Sequence, residues 1–170
     1  SDVAIPLTND PISAPDFSIV IPAFNEEKLL PRLLASIHTA RERYRGGPAA
    51  IEVIVADNAS TDRTAEIARE AGCRVARIEK RRIGAVRNGG AAIATGRILA
   101  FTDADTIVHP ETFNAIAEVM DTGQYIGGGT GWKMERDSLG LRATCFVART
   151  ISKTRFAPRA LAIRLGRGWM

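Results

Sequence analysis

Phe17-Ser-Ile-Val-Ile-Pro22 leads into Ala23-Phe-Asn-Glu-Glu27 and then into Leu29, Leu30, Leu33, Leu34 and Ile37, and this stretch decides the fold. A short, unbroken apolar run that stops at a proline has the length and character of a buried strand. The leucines that follow keep helical spacing to about Arg43, and Pro31 falls in the first helical turn, where a missing N–H is tolerated. Gly46-Gly47-Pro48 breaks the helix, and the same succession then recurs. Ile51-Glu-Val-Ile-Val-Ala56 is a second strand and Asp57-Asn-Ala-Ser-Thr61 a polar loop. Thr61 or Asp62 is the expected cap of a helix carrying Ala65, Ile67 and Ala68, which Gly72 stops. A third strand is expected over 73–78, a loop at Lys80-Arg81-Arg82 and Gly84, and a small-residue helix over 85–94. Ile98 to Thr102 reads as a fourth strand, 110–120 as a helix, 125–133 as glycine-rich extended chain, and 139–156 as an amphipathic helix.

Strands that alternate with helices in this way are joined by right-handed crossovers. The expected class is therefore α/β, a doubly wound, Rossmann-like and mostly parallel sheet flanked by helices. Such sheets bind ligands outside the carboxyl ends of their strands, where the strand order reverses. Every polar cluster of the chain follows a strand end: Pro22 to Glu26, Asp57 to Asp62, Lys80 to Arg82, and Asp103-Ala104-Asp105. They are expected to gather on one edge.

Asp103-Ala104-Asp105 has two readings taken by itself. It is either a turn whose second aspartate caps the next helix, or a pair of carboxylates set around a cation. No G-x-G-x-x-G turn follows the first strand and there is no P-loop, so neither a dinucleotide cofactor nor a backbone phosphate cradle is expected. Mg²⁺ or Mn²⁺ on the two aspartates would hold phosphate instead, because such an ion takes one or two carboxylates and fills its shell with substrate oxygens.

The 170 residues suffice for one domain with a core, and 45% are apolar. No apolar run approaches the roughly 18 residues of a membrane-spanning helix. Residues 1–16, with Pro6, Pro11 and Pro15 and no apolar segment, are expected to form a flexible leader rather than a signal peptide. Cys73 and Cys145 lack metal-ligand spacing and suit reduced thiols filling the core of a cytoplasmic protein. Residues 131–170 hold nine Lys and Arg against two acids in a chain of net charge +4, so the preceding part is net acidic. A solvated basic face explains such a tail, and so does an anionic partner: a phosphorylated ligand or the headgroups on the inner face of a membrane. Phe146, Phe156 and Trp169 are too few and too poorly interleaved with basic residues for a nucleic-acid stacking platform.

Four segments stand in order: Ile19-Val-Ile-Pro-Ala-Phe-Asn-Glu-Glu27, Asp57-Asn-Ala-Ser-Thr-Asp-Arg-Thr64, Ala85-Val-Arg-Asn88 and Phe101-Thr-Asp-Ala-Asp-Thr106. Together they resemble the family 2 glycosyltransferases of GT-A fold, over about residues 17–131. The resemblance implies a nucleotide-sugar donor held by residues 17–131, with 132–170 as a basic, incomplete acceptor-side region. It implies that Pro22, Ala23, Phe24 and Glu26 line the nucleoside pocket, with Asn58 and Ala104 beside it. Asp57 would accept the N3–H of a uracil base, or cap the loop that follows it. Arg82 would reach the base, Asp103 the ribose or the metal's water shell, and Asp105 the Mn²⁺ or Mg²⁺ itself. Arg87 and Asn88 fit packing or capping as well as ligand contact.

An inverting transferase of this kind needs a general base downstream of the metal motif. After Gly131 the chain offers Glu135 and Asp137, neither in a recognisable base motif, so no base is named. The expectation is a metal-dependent, inverting transfer from a UDP-sugar to an unknown acceptor, phosphorylated or lipid-linked, by a chain that stops before its acceptor half is complete. The alternative is a catalytically incomplete domain that binds donor only. A nucleotidyltransferase is disfavoured, since the first loop is acidic and lacks glycine.

Overall fold

The computed structural model describes residues 14–130 and the strand 160–163. The chain divides into two compact units, 1–110 and 111–170. In the first, β1 (Phe17–Ala23), α1 (Leu30–Arg43), a single 3-10 turn (Pro48–Ala50) and β2 (Ile51–Asp57) come in succession. They are followed by α2 (Thr64–Glu70), β3 (Arg74–Arg77), α3 (Ile83–Ala91) and β4 (Ile98–Phe101). The four strands form one parallel sheet in the order β3-β2-β1-β4. The chain walks outward from β1 through β2 to β3, then crosses back to place β4 on the other side of β1. The reversal lies between β1 and β4, which opens a crevice at their carboxyl ends.

Side-chain direction follows the two-residue period of the strands. Val20, Ile54 and Ala56 turn to one face and pack with Val86 of α3 and with Ile78, Ile93 and Ala94. Ile37 of α1, Val53 and Ile67 of α2 line the opposite side, where a cleft of about 450 Å³ also takes in Leu34, His38, Arg41 and Cys73. Both faces of β1 and β2 are therefore covered, which explains their unbroken apolar sequence. Burial pushes the Cys73 thiol up to about 11, so it stays protonated, in keeping with a filler role. His38 is exposed on α1.

The polar foot of the sheet is closed as tightly as the core. Ser18 is fully buried and donates to Glu52 Oε2, while its Oγ accepts the N–H groups of Thr95 and Gly96. Arg74 pairs with Oε1 of the same glutamate. Burial works against ionisation of Glu52, yet the hydrogen bonds from Ser18, Thr95 and Arg74 outweigh it and hold the carboxyl below its ordinary range.

Several boundaries differ from expectation. α2 begins at Thr64 because Asp62 Oδ1 accepts the Thr64 N–H at 3.0 Å and its hydroxyl, closing a turn ahead of the helix. α3 starts at Ile83, two residues early, since Gly84 does not break it, and it ends in tightened turns through Ala94. β3 spans only Arg74–Arg77 and β4 ends at Phe101. In the second unit, α4 (Thr112–Met120) starts after Pro110 with Glu111 as its cap residue. β5 (Gly127–Thr130) pairs in parallel with β6 (Ala160–Ile163), a strand without a signal in the sequence. The helix expected over 139–156, Cys145, Glu135, Asp137 and residues 1–13 of the leader lie outside the described residues. Among the described residues, no helix is long and apolar enough to cross a membrane.

α3 lies close against the sheet because Gly90 has no side chain. A Cβ there would meet Val20 Cγ1 at 2.4 Å and Ala56 Cβ at 3.1 Å, both in the core. Gly90→Ala is therefore expected to lower stability by about 1–3 kcal/mol from overpacking, despite the better helix former, as read by urea denaturation. An unchanged unfolding free energy would contradict this packing.

Candidate functional site

The site is built where β1 and β2 end. Three successive backbone N–H groups leave β1 without strand partners and must find acceptors elsewhere. The β2–α2 loop provides them: Asn25 N–H to Ser60 Oγ at 3.0 Å, Glu26 N–H to Thr64 Oγ1 at 2.8 Å, and Glu27 N–H to Asp62 Oδ2 at 3.1 Å. The loops also bond in the other direction. Asn25 Oδ1 accepts the Thr61 N–H at 2.9 Å and Glu27 Oε2 the Arg63 N–H at 3.2 Å. Asn25 and Ala59 adopt left-handed backbone, at φ 55° and 53°. Asparagine tolerates this region, whereas Ala59 is held there by the turn around it.

Within this frame Asp57 is 1% exposed. Its Oδ1 accepts the Ser60 N–H at 3.2 Å, which fulfils the capping alternative. Its Oδ2 is buried and has no hydrogen-bond partner. A buried carboxylate oxygen left without a donor is costly, which makes it a candidate acceptor for a ligand N–H. Asn58 lies beside it and donates its side-chain amide to the carbonyls of Ile78 (2.8 Å) and Lys80 (3.1 Å), anchoring the β3–α3 loop to the site.

Pro22 and Ala23 are buried at the end of β1, and Phe24 is 45% exposed. Arg81 lies over the Phe24 ring, its guanidinium carbon 5.4 Å from the centroid. The basic loop thus reaches the β1 loop through Arg81, by a cation–π contact, whereas Arg82 is exposed and serves as the cap residue of α3.

Asp103 and Asp105 follow β4 across the reversal point. Ala104 between them is buried, so the two carboxylates stand outward on either side of it. Asp105 does not cap α4, which begins only at Thr112. Arg87 Nη2 lies 2.8 Å from Asp103 Oδ1. Thr106 closes the turn, with its N–H and hydroxyl on the Asp103 carbonyl at 3.2 and 2.7 Å. The Glu26 carboxyl is raised by its burial and then by the charges of Asp105 and Asp62, which joins the β1 loop electrostatically to the aspartate pair. Asp62 behaves oppositely: burial disfavours its charge, but hydrogen bonds from Thr64 and the Glu27 N–H hold its carboxyl low.

Among the described residues no three His, Cys, Asp or Glu side chains come together as a metal site on their own. Two carboxylates, one with an oxygen on Arg87, are a donor set that suits Mg²⁺ or Mn²⁺ only as a shared site, with the remaining positions filled by water and substrate phosphate. The sequence marks Asp62 only as a helix cap, leaves Arg87 open, and gives Arg81 and Asn25 no role of their own. Asn25 and Asp62 carried a weak signal as Asx residues in strand-end loops, whereas the partners of Arg81 and Arg87 lie far off in sequence.

The protein-family model for glycosyl transferase family 2 matches residues 18–162. A curated relative, 4,4'-diaponeurosporenoate glycosyltransferase of Staphylococcus haemolyticus, is 39% identical over 118 residues, covering 65% of this chain and 30% of that protein. Among solved structures, TarS 1-349 of S. aureus in complex with UDP superposes with a TM-score of 0.61 at 26% identity, over 73% of this chain and 38% of that one. Glucosyl-3-phosphoglycerate synthase of Mycobacterium tuberculosis, in complex with Mn²⁺, UDP and glucosyl-3-phosphoglycerate, gives 0.61 at 27% identity over 82% and 49%. The chain thus spans less than half the length of each of these proteins. The architecture is that of the GT-A glycosyltransferases.

The Glu26 shift has a testable sign. A carboxyl raised in the folded state costs stability once pH climbs through the ordinary carboxylate range, and costs nothing below it. Glu26→Gln is expected to raise the melting temperature at pH 7 and to leave it unchanged near about pH 3, where both side chains are neutral. Equal melting temperatures at both pH values would remove the proposed repulsion.

Proposed function

This chain belongs to glycosyl transferase family 2, and from that membership we propose that it binds a UDP-sugar and takes part in the inverting transfer of the sugar to an acceptor. The observation that carries the reading is the buried, partnerless Oδ2 of Asp57 at the carboxyl end of β2, the strand next to β1. Uracil offers an N3–H that such an oxygen can accept, and Phe24, Pro22 and Ala23 supply the apolar wall beside it. The UDP bound in two similar structures supports the choice of base.

Asp103 and Asp105 would hold Mn²⁺ or Mg²⁺, with Asp105 as the direct ligand, and the ion would offset the charge of the departing diphosphate. The chain's own contribution is orientation. Asp57 fixes the base, the β1–β2 loop clamp fixes Asp57, and Asp103 stands at the far side of the crevice for the ribose or the ion's water shell. Asn58, through the loop it anchors, and Arg82 would complete the same pocket. The basic 131–170 segment favours an anionic acceptor, phosphorylated or lipid-linked, reached at the inner face of a membrane. No general base is assigned.

Calorimetry with UDP and GDP, each with and without Mn²⁺, tests the reading. UDP is expected to bind with Mn²⁺ present, and Asp105→Ala to abolish the metal dependence. Failure of every nucleoside diphosphate to bind in the presence of Mn²⁺ would sink it. Asp57→Ala should weaken UDP by about tenfold or more, the loss of one charge-assisted hydrogen bond. Asp57→Asn should narrow the gap between UDP and CDP, because an amide N–H can face the N3 acceptor of cytosine. An unaltered UDP-to-CDP ratio would exclude contact with the base edge. Release of free sugar or transfer by the chain would exclude a donor-binding domain without activity.

A further inference from the structure

Nucleotide binding leaves one interaction of the site without a task, the ion pair between Arg87 on α3 and Asp103 after β4. Nη2 lies 2.8 Å from Oδ1. Arg87 Nε is shut off from solvent and has no hydrogen-bond partner. The two side chains are otherwise 41% and 59% exposed, and ion pairs so wetted add little to stability. Leaving a buried N–H unmet costs more than such a pair returns. Stability therefore does not account for the arrangement, and its consequences lie in orientation and charge.

Both consequences fall on the aspartate pair. Asp103 Oδ1 accepts from Arg87, whereas Oδ2 has no hydrogen bond among the described residues and is the more open oxygen for a ligand. Asp105 makes no ion pair or hydrogen bond among the described residues. Arg87 is the cation in direct contact with this acidic group. A divalent ion on Asp103 would sit within a few ångströms of the guanidinium, and two positive charges at that range oppose each other appreciably even at the effective dielectric of a protein surface. The phosphates of a nucleoside diphosphate bring negative charge that offsets the guanidinium.

We propose that Arg87 is the positioning residue of the acidic pair: it takes Asp103 Oδ1, leaves Oδ2 to the ligand, and by its charge keeps a divalent cation from settling on Asp103 and Asp105 until a nucleotide supplies its phosphates. The inference rests on the nucleotide-site reading. It makes metal and nucleotide arrive as a unit, each raising the affinity of the other by the same factor.

Manganese binding without nucleotide, followed by the electron spin resonance signal of the free ion, tests it in the full chain. Arg87→Gln should bind Mn²⁺ about three- to tenfold more tightly than wild type, since a repelling charge has gone. Arg87→Lys, which keeps the charge, should stay within about twofold of wild type. A purely structural role gives the opposite sign, because damage to the site weakens metal binding. Unchanged or weaker Mn²⁺ binding by Arg87→Gln, or equal tightening in Arg87→Lys, overturns the proposal. Arg87→Met takes the place of Arg87→Gln should the latter fail to fold by circular dichroism. UDP titration of the wild type in saturating Mn²⁺ separates the two readings. Binding by the wild type with no gain for Arg87→Gln removes only the role of Arg87, and no binding by the wild type removes both.

Discussion

The backbone amides that leave β1 have to be satisfied, and the way they are satisfied shapes the rest of the site. Where a parallel strand ends, its next N–H groups must be met by protein or by water, and at this partly exposed edge the protein supplies the acceptors itself. Here Ser60, Thr64 and Asp62 of the neighbouring loop take the N–H groups of Asn25, Glu26 and Glu27. Asn25 and Glu27 return the bonds to Thr61 and Arg63. Two loops that are separate in sequence become one rigid piece. That piece holds Ala59 in left-handed backbone and fixes Asp57, so that one carboxylate oxygen caps the loop and the other is buried without a hydrogen-bond partner.

Electrostatics in the crevice follows from this geometry. Strand order brings the ends of β1 and β4 side by side, and with them Glu26, Asp103 and Asp105. Hydrogen bonds keep Asp62 ionised, and its charge, with that of Asp105, is felt by Glu26. Arginines reach in from the β3–α3 segment: Arg81 over the Phe24 ring and Arg87 on Asp103. Gly90 allows the second of these, since it lets α3 lie on Val20 and Ala56 with no side chain between. Packing on one face of the sheet thus sets charge at its edge. The arrangement suits a ligand that is apolar and N–H-donating at one end and carries phosphate and a cation at the other.

Local pattern made most of the frame legible. β1 and β2 were readable as unbroken apolar runs because both faces of a parallel strand are buried, and α1 was readable from its leucine spacing. Asp57, Glu26 and the aspartate pair were readable because they sit at strand ends, where sheet geometry puts ligands. The capping alternative for Asp57 is met by Oδ1, which accepts the Ser60 N–H, while Oδ2 has no hydrogen-bond partner. What stayed hidden depends on contacts between distant residues. Arg87 finds its partner 16 positions away, and Arg81, not Arg82, lies over Phe24, a choice set by how the loop turns. The start of α2 moved to Thr64 because Asp62 bonds a hydroxyl as well as an amide. β6 escaped notice because a four-residue run, Ala160–Ile163, has no period to detect.

The central claim is that Asp57 Oδ2 is the acceptor for the base of the donor nucleotide. A crystal structure of this chain with UDP and Mn²⁺ tests it most directly. The account predicts the uracil N3 within about 3 Å of Asp57 Oδ2, with the ring against the Pro22–Phe24 wall. A uracil bound elsewhere, with Asp57 Oδ2 still without a partner, would contradict it.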